Sequence, residues 1–358
     1  VGSEKNNEKL RGDSLVLTLD SRLQQAAYNA LGMYKGAVVV MEPSTGKILA
    51  MVSKPDFDPN DMASQWEILN ADDSQSPLLN RATQGLYPPG STFKILTTLE
   101  YIREFPNEYM NYAYDCQGSM TKEDVTIKCY DYEVHGYEDL EGSFQHSCNT
   151  SFANIGLQLD NDKFAELCSS LMFNGKLPTV LPYSSSQFSL NGKSSVGETM
   201  QTAIGQGNTL VSPFHMALIV SAIANDGVLM TPYFVDHIEN TDGIQVSETK
   251  ALEYKKMMNS SEAQTLNQYM QSVVNGGTAS SLSDLGVSIA GKTGSAEYEV
   301  NGNTGSEANF STHSWFVGFS NVEDPDIVVS VIAEDGGTGS SAAVPIAREI
   351  FTTYYNQM

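Results

Sequence analysis

The chain is poor in cysteine, poor in basic residues and without a long apolar run, and each shortage excludes something. Four cysteines in 358 residues are too few for a disulfide scaffold. Only 20 Lys and Arg face 43 Asp and Glu, a formal charge of −23. No basic run interrupts that balance, so a nucleic-acid backbone or an anionic lipid surface is excluded as the main partner. No window approaches 18 uninterrupted apolar residues, so no segment here crosses a bilayer as a helix. There is no fixed-period repeat and no low-complexity tract, which removes solenoids and propellers. The sequence starts at Val1 rather than Met, with a polar lead to Arg11, and reads as lying downstream of another segment, where an anchor is expected.

What remains is ample for folding. At 41% hydrophobic residues, 358 residues can bury one large core or two modest ones. Ser14 to Leu19 reads as a strand, and Asp20 or Ser21 as the cap of a helix carrying Leu23, Ala27 and Leu31. A hairpin follows: Gly36 to Met41, a turn at Pro43-Ser44-Thr45-Gly46, then Ile48 to Val52. From Ser91 to Gly277 the apolar period is mostly helical, with Pro213 after Ser212 opening one helix that Asn225 to Gly227 closes. Strands return at Val287 to Ala290, Ser314 to Ser320 and Ile327 to Ala333, before a last helix near Pro345. Strand-rich ends around a helical middle predict an α/β (α+β) fold: a mixed sheet from both termini with flanking helices, an α-helical subdomain beside it, and a cleft between them.

Three short motifs carry chemistry. Pro88-Pro89-Gly90-Ser91-Thr92-Phe93-Lys94 delivers Ser91 to a helix start with Lys94 one turn later on the same face. A serine hydroxyl attacks only when a base takes its proton, and a lysine serves once burial and a helix N-terminus lower its pKa. Ser147-Cys148-Asn149 leads into a helix. Gly291-Lys292-Thr293-Gly294-Ser295 follows an apolar strand, where a cation and hydroxyls can face a cleft and bind a carboxylate. Singly these are caps and a strand end. They occur in one order, however, with Ser147 56 residues after Ser91 and Lys292 145 residues after Ser147. The set S-x-x-K, S-x-N and K-T-G is that of penicillin-binding proteins and serine β-lactamases.

Over nearly all of residues 11–358 the sequence resembles the transpeptidase domain of a class B penicillin-binding protein. Gly36 to Met51 is similar to the family's opening hairpin, Thr202-Ala203-Ile204-Gly205-Gln206-Gly207 with Ser212-Pro213 to its helical-region motif, and Trp315-Phe316-Val317-Gly318-Phe319 to the strand after K-T-G. Ser295 departs from the Thr of many members but keeps a hydroxyl and a backbone N–H. The resemblance implies a β-lactamase/transpeptidase-like fold, with a sheet subdomain near 11–90 and 278–358, a helical subdomain near 91–277 and residues 1–10 as a lead.

It further implies that Ser91 attacks a D-Ala-D-Ala stem peptide or a β-lactam, with Lys94 as base and Ser147 as proton relay. Asn149 would hold the substrate amide and contact Lys94. Lys292, Thr293, Gly294 and Ser295 would bind the substrate carboxylate, and the N–H groups of Ser91 and Ser295 would form the oxyanion hole. No cofactor is needed for acyl transfer. The implied partner is a membrane glycosyltransferase of the elongation (cell-shape), division or sporulation machinery. The implied location is the extracytoplasmic face of the bacterial cytoplasmic membrane. The alternatives are a class D-like serine β-lactamase or β-lactam sensor, and a D,D-carboxypeptidase. Glu67-Ile68-Leu69-Asn70, the nearest match to a deacylating glutamate segment, precedes Ser91.

Cys116, Cys129, His135 and Cys148 have the spacing C-x12-C-x5-H-x12-C, with ligand types that suit tetrahedral zinc. A Cys116–Cys129 disulfide and three unrelated buried thiols are the competing readings. Some elongation-type members of the family resemble this arrangement and carry a zinc near the active site.

Overall fold

The computed structural model describes residues 12–299 and 310–356, so the lead expected at 1–10 lies outside the described residues. Its centre is a five-stranded sheet in the order Ile289–Glu299, Phe310–Ser320, Val328–Ala333, Gly36–Met41, Ile48–Lys54. Both ends of the chain build it, as expected, but it is antiparallel throughout rather than mixed. The connections explain this. Successive strands of each terminal segment are sheet neighbours, and a short return between neighbours forces antiparallel pairing.

Every residue of Gly36–Met41 and of Val328–Ala333 is buried, so both faces of the sheet are covered. Ser330 Oγ donates to Pro213 O at the start of helix Pro213–Ala224 (2.9 Å), whereas Phe316, register partner of Val331, meets Phe351 of helix Ala343–Tyr355. Because 330 and 331 point to opposite faces, those two helices lie on opposite sides of the sheet. Helix Ser21–Leu31, capped by Asp20 and burying Leu23, Ala27 and Leu31, packs against Ala343–Tyr355. Helix Pro213–Ala224 is buried at all positions, consistent with an apolar circumference and a place between sheet and helical region. Ser212 Oγ accepts from His215 N–H at its start (3.2 Å).

The middle of the chain is helical with interruptions. Helices Lys94–Glu104, Leu140–Gln145, Asn149–Gly156, Asn161–Ser170, Val196–Ala203 and Ser260–Gly276 are joined by two-stranded pieces. Tyr114–Cys116 pairs with Gly136–Glu138, and Ser119–Lys122 with Val125–Lys128. Strands of three or four residues show no resolvable alternation, which is why helical periodicity dominates this region of the sequence. Helix Met62–Ala71 buries none of its residues and was not anticipated, since it lacks the apolar stripe by which helices are recognised. Among the described residues no helix is long and apolar enough to cross a membrane.

Candidate active site

The nucleophile turn is fixed from three sides. Gly90 has φ +54°, donates its N–H to Gly205 O (2.9 Å), and sits so close to the edge strand that a Cβ would stand 2.8 Å from Ser295 O. Trp315 Nε1 donates to Pro88 O (3.0 Å), tying the Pro-Pro approach to the sheet. Behind the turn Phe93 meets Phe164, Phe173 and Phe188 at centroid distances of 5.8, 6.1 and 5.9 Å. Residues Gly90–Phe93 form a 3₁₀ turn that runs into helix Lys94–Glu104, so Ser91 stands just before the α-helix rather than in it. Its hydroxyl is half-buried, caps nothing, and has no hydrogen-bond partner among the described residues. An N-cap serine would have its hydroxyl oxygen occupied by a backbone N–H; this one is free to react.

Lys94 is wholly buried. Its Nζ donates to Ser147 O (2.7 Å), Asn149 Oδ1 (2.7 Å) and Ser147 Oγ (3.2 Å). The backbone that presents those acceptors is unusual: Ser147 has φ +58°, a left-handed conformation uncommon outside glycine. That conformation aims the carbonyl and hydroxyl of one residue at one ammonium. Lys292, on the edge strand Ile289–Glu299, is also fully buried and donates to Ser147 Oγ (2.9 Å) and Thr293 O (3.3 Å). Two cationic side chains from different halves of the chain therefore converge on one hydroxyl.

Burial lowers Lys94 from 10.5 to about 8, opposed by the nearby Cys148, Cys129 and Glu138. Burial also drives Lys292 well down, and the adjacent Lys94 charge adds to that. Phe152 and Phe144 rings lie 5.3 and 5.5 Å from the two Nζ atoms, so the walls are apolar and the desolvation is real. Two ammonium groups in one dry site repel each other, and the pair titrates as a unit.

Ser295 Oγ accepts from Gly339 N–H (3.2 Å), and Thr293 Oγ1 lies 2.6 Å from Thr278 Oγ1. The K-T-G segment lies on a strand, as expected, and that strand runs on from Ile289 to Glu299, with Lys292 opposite Val317 and Thr293 opposite Phe316. That pairing overrides the weak strand preference of Gly-Lys-Thr-Gly. Asn149 has a further contact at its other end, where Nδ2 donates one of its two N–H groups to Lys128 O (2.9 Å), leaving the second for a substrate amide. Sequence reasoning had no signal for Lys128, which acts through its backbone, or for Thr278, which follows two glycines in a turn.

Cys116, Cys129, His135 and Cys148 meet, their ligand atoms all within 4.8 Å of one another. Cys129 Sγ is 3.7 Å from both Cys116 Sγ and Cys148 Sγ, and Cys116 Sγ is 3.4 Å from His135 Nδ1. A disulfide brings sulfurs to about 2.05 Å, so Cys116 and Cys129 are not bonded. Sulfurs about 2.3 Å from a tetrahedral zinc stand roughly 3.7 Å apart, so the donor set fits that ion. Backbone N–H groups of Gly118 and Ser151 point at Cys116 and Cys148 sulfurs (both 3.4 Å), and His135 Nε2 faces Glu133 (3.6 Å), as ligand orientation requires. The fourth cysteine, Cys168, is buried elsewhere.

Two buried lysines that converge on the Ser147 hydroxyl, Ser91 one turn before the first of them, and an edge strand of hydroxyls against that turn define an active-site-serine enzyme of acyl transfer. The chain belongs to the penicillin-binding protein transpeptidase domain family, whose description matches residues 36–352. It is 33% identical to the peptidoglycan D,D-transpeptidase PbpA of Mycolicibacterium smegmatis, over 94% of this chain and 72% of that protein. A solved D,D-transpeptidase domain of a peptidoglycan glycosyltransferase from Eggerthella lenta superposes with TM-score 0.87 at 32% identity, covering 98% of this chain and 85% of the other. A ceftriaxone acyl-enzyme of penicillin-binding protein A from M. tuberculosis gives TM-score 0.86 at 28% identity, over 96% and 80%.

Proposed function

We propose that the chain is a serine D,D-transpeptidase that cross-links peptidoglycan stem peptides through an acyl-enzyme and is acylated by β-lactams. The observation that carries this is the junction of Lys94 and Lys292 on Ser147 Oγ, with Ser91 placed one turn before Lys94 at the helix start. Neutral Lys94 takes the Ser91 proton as Oγ bonds to the penultimate D-alanine carbonyl carbon. The oxyanion forms against the N–H groups of Ser91 and Ser295, which Gly90 brings together; such donors contribute about 3–4 kcal/mol to transition-state stability. Lys94, now charged, passes its proton through Ser147 Oγ to the leaving amine, and D-alanine departs. An amine of a second stem peptide then attacks the ester and restores Ser91.

The substrate carboxylate sits by Thr293, Gly294 and Ser295 in this reading. Its charge favours the ammonium at Lys292, and that charge in turn holds Lys94 neutral. Asn149 fixes Lys94 through Oδ1 and holds the substrate amide with the second N–H of Nδ2. Cys116, Cys129, His135 and Cys148 hold a structural zinc, which would tie the hairpin Ser119–Lys128 to the catalytic loop and takes no part in acyl transfer. The sheet (near 11–90 and 278–358) and the helical region (near 91–277) act as two subdomains flanking the cleft. The domain works on the extracytoplasmic face of the cytoplasmic membrane, where stem peptides are cross-linked, beside a glycosyltransferase that supplies glycan strands.

Labelled penicillin is the test. The wild type should retain one adduct, mapped to the peptide containing Ser91, and Ser91→Ala should retain none. An adduct on another serine refutes the assignment, and rapid release of hydrolysed antibiotic identifies a β-lactamase instead.

A further inference from the structure

Helix Ser260–Gly276 ends in a turn that reaches both halves of the site. Gly277 donates its N–H to Val273 O (3.1 Å), and a Cβ on it would stand 2.4 Å from Gln145 O. Only glycine therefore lets this turn press on the backbone two residues before Ser147. The next residue, Thr278, is half-buried and places Oγ1 2.6 Å from Thr293 Oγ1 on the edge strand. On its other side Thr293 meets Gly339, where a Cβ would stand 2.7 Å from Thr293 Cβ. Thr293 is 5% exposed, so its side chain is held between these two neighbours.

A hydroxyl has one proton to donate. If Thr293 gave it to Thr278, nothing would remain for a carboxylate. If Thr278 donates into Thr293 Oγ1, the Thr293 proton is free to point into the cleft, and each O–H polarises the next. Lys292 is fully buried and turns two of its donors to Ser147 Oγ and Thr293 O, so what it offers the carboxylate is mainly charge, and the directed hydrogen bond at the strand edge falls to a hydroxyl. Recognition of the anion at the strand edge thus rests on hydroxyls, and the direction of one of them is set from outside the K-T-G segment.

We propose that Thr278 is a positioning residue that directs the Thr293 hydroxyl toward the terminal carboxylate of the substrate, making the enzyme selective for carboxylate-bearing acyl donors. The inference rests on the reading above that Thr293 binds that carboxylate. Thr278 touches no reacting atom; it acts through Thr293. A purely structural role, bracing the Gly276–Thr278 turn between Gln145 and the strand, would affect every acyl donor alike.

The experiment compares second-order acylation rates of the full chain for a chromogenic cephalosporin and for its methyl ester, which lacks the anion. Thr278→Val keeps the shape and removes the donor. It should slow the acid about tenfold, the effect of a lost hydrogen bond relayed to a charged group, and the ester less than about twofold. Thr278→Ser should restore the acid to within about twofold. Thr293→Val should slow the acid at least as much, and adding Thr278→Val to it should bring no further loss, because the relay is already broken. Equal slowing of acid and ester by Thr278→Val, or no slowing of either, overturns the proposal. An additive double variant does so too. Failure of the wild type to form any Ser91 adduct would instead overturn the transpeptidase reading.

Discussion

Acylation should be governed by a proton that leaves Lys94 near pH 8. Lys94 is buried on all sides, and removal from water lowers it from 10.5 to about 8. A lysine at 10.5 would be neutral in roughly 0.03% of molecules at pH 7, whereas one at 8 is neutral in roughly 10%, so burial supplies roughly 300 times more base. The sign follows from the chemistry. Acid adds the proton that blocks the base, so the rate falls as pH drops through 8, by about tenfold between pH 7 and pH 6, and levels off above about pH 9. Lys292 moves the same way, and its charge is set by whether a carboxylate is beside it, so the profile reports the pair.

The assay is stopped-flow acylation by a β-lactam from pH 6 to 9.5, with the fold checked by circular dichroism at each pH. Lys94→Arg keeps a cation at the site but holds its proton across the whole range, so it should lose at least about a thousandfold in rate and retain no rise above pH 7. A wild-type profile flat between pH 6 and 9 would refute the reasoning, because no buried lysine could then be the proton acceptor. Lys94→Arg acylating at the wild-type rate would refute it equally.

Two further outcomes follow from the packing. Protein purified without added metal should contain about one zinc per chain by elemental analysis, and chelation should lower both Tm and acylation rate because the ligands include the residue between Ser147 and Asn149. Less than about a tenth of an equivalent would refute the metal. Gly205→Ala should cost about 3 kcal/mol or more and abolish most acylation, since the new Cβ would stand 1.7 Å from Gly90 O at a φ of +84°. Unchanged Tm and labelling would show that the Gly90–Gly205 contact does not hold the nucleophile turn.

What was legible in the sequence was local or short-range. Asp20, Ser212 with Pro213, and the Pro43–Gly46 turn mark element ends because capping and turn chemistry act within a few residues. The three motifs were legible as residue types, since acyl transfer needs those functional groups. Their wiring was not. Nothing in the order Ser147-Cys148-Asn149 says that Ser147 is left-handed, that both lysines meet on its hydroxyl, or that Asn149 Nδ2 donates to Lys128 O. Those are long-range contacts between segments separated by tens of residues to more than a hundred. The antiparallel sheet was missed for the same reason: strands announce themselves one by one, whereas relative direction is a property of the connections.

The sulfur cluster shows how a local alternation becomes a long-range constraint. In the tripeptide 147–149 the outer side chains face Lys94, so the middle one is turned the other way, and Cys148 Sγ meets Cys129 Sγ at 3.7 Å behind the loop. Cys129 follows Lys128 directly, and it is the Lys128 carbonyl that takes Asn149 Nδ2. Ser147-Cys148-Asn149 is thus held against strand Val125–Lys128 twice, by sulfur proximity at one residue and by a hydrogen bond at the next. Drawing Cys148 and Cys129 apart would move the Lys128 carbonyl away from Asn149 and, through Asn149 Oδ1, loosen Lys94. If Lys94 is the base, as proposed, the cluster would bear on catalysis by fixing the acceptors that orient it.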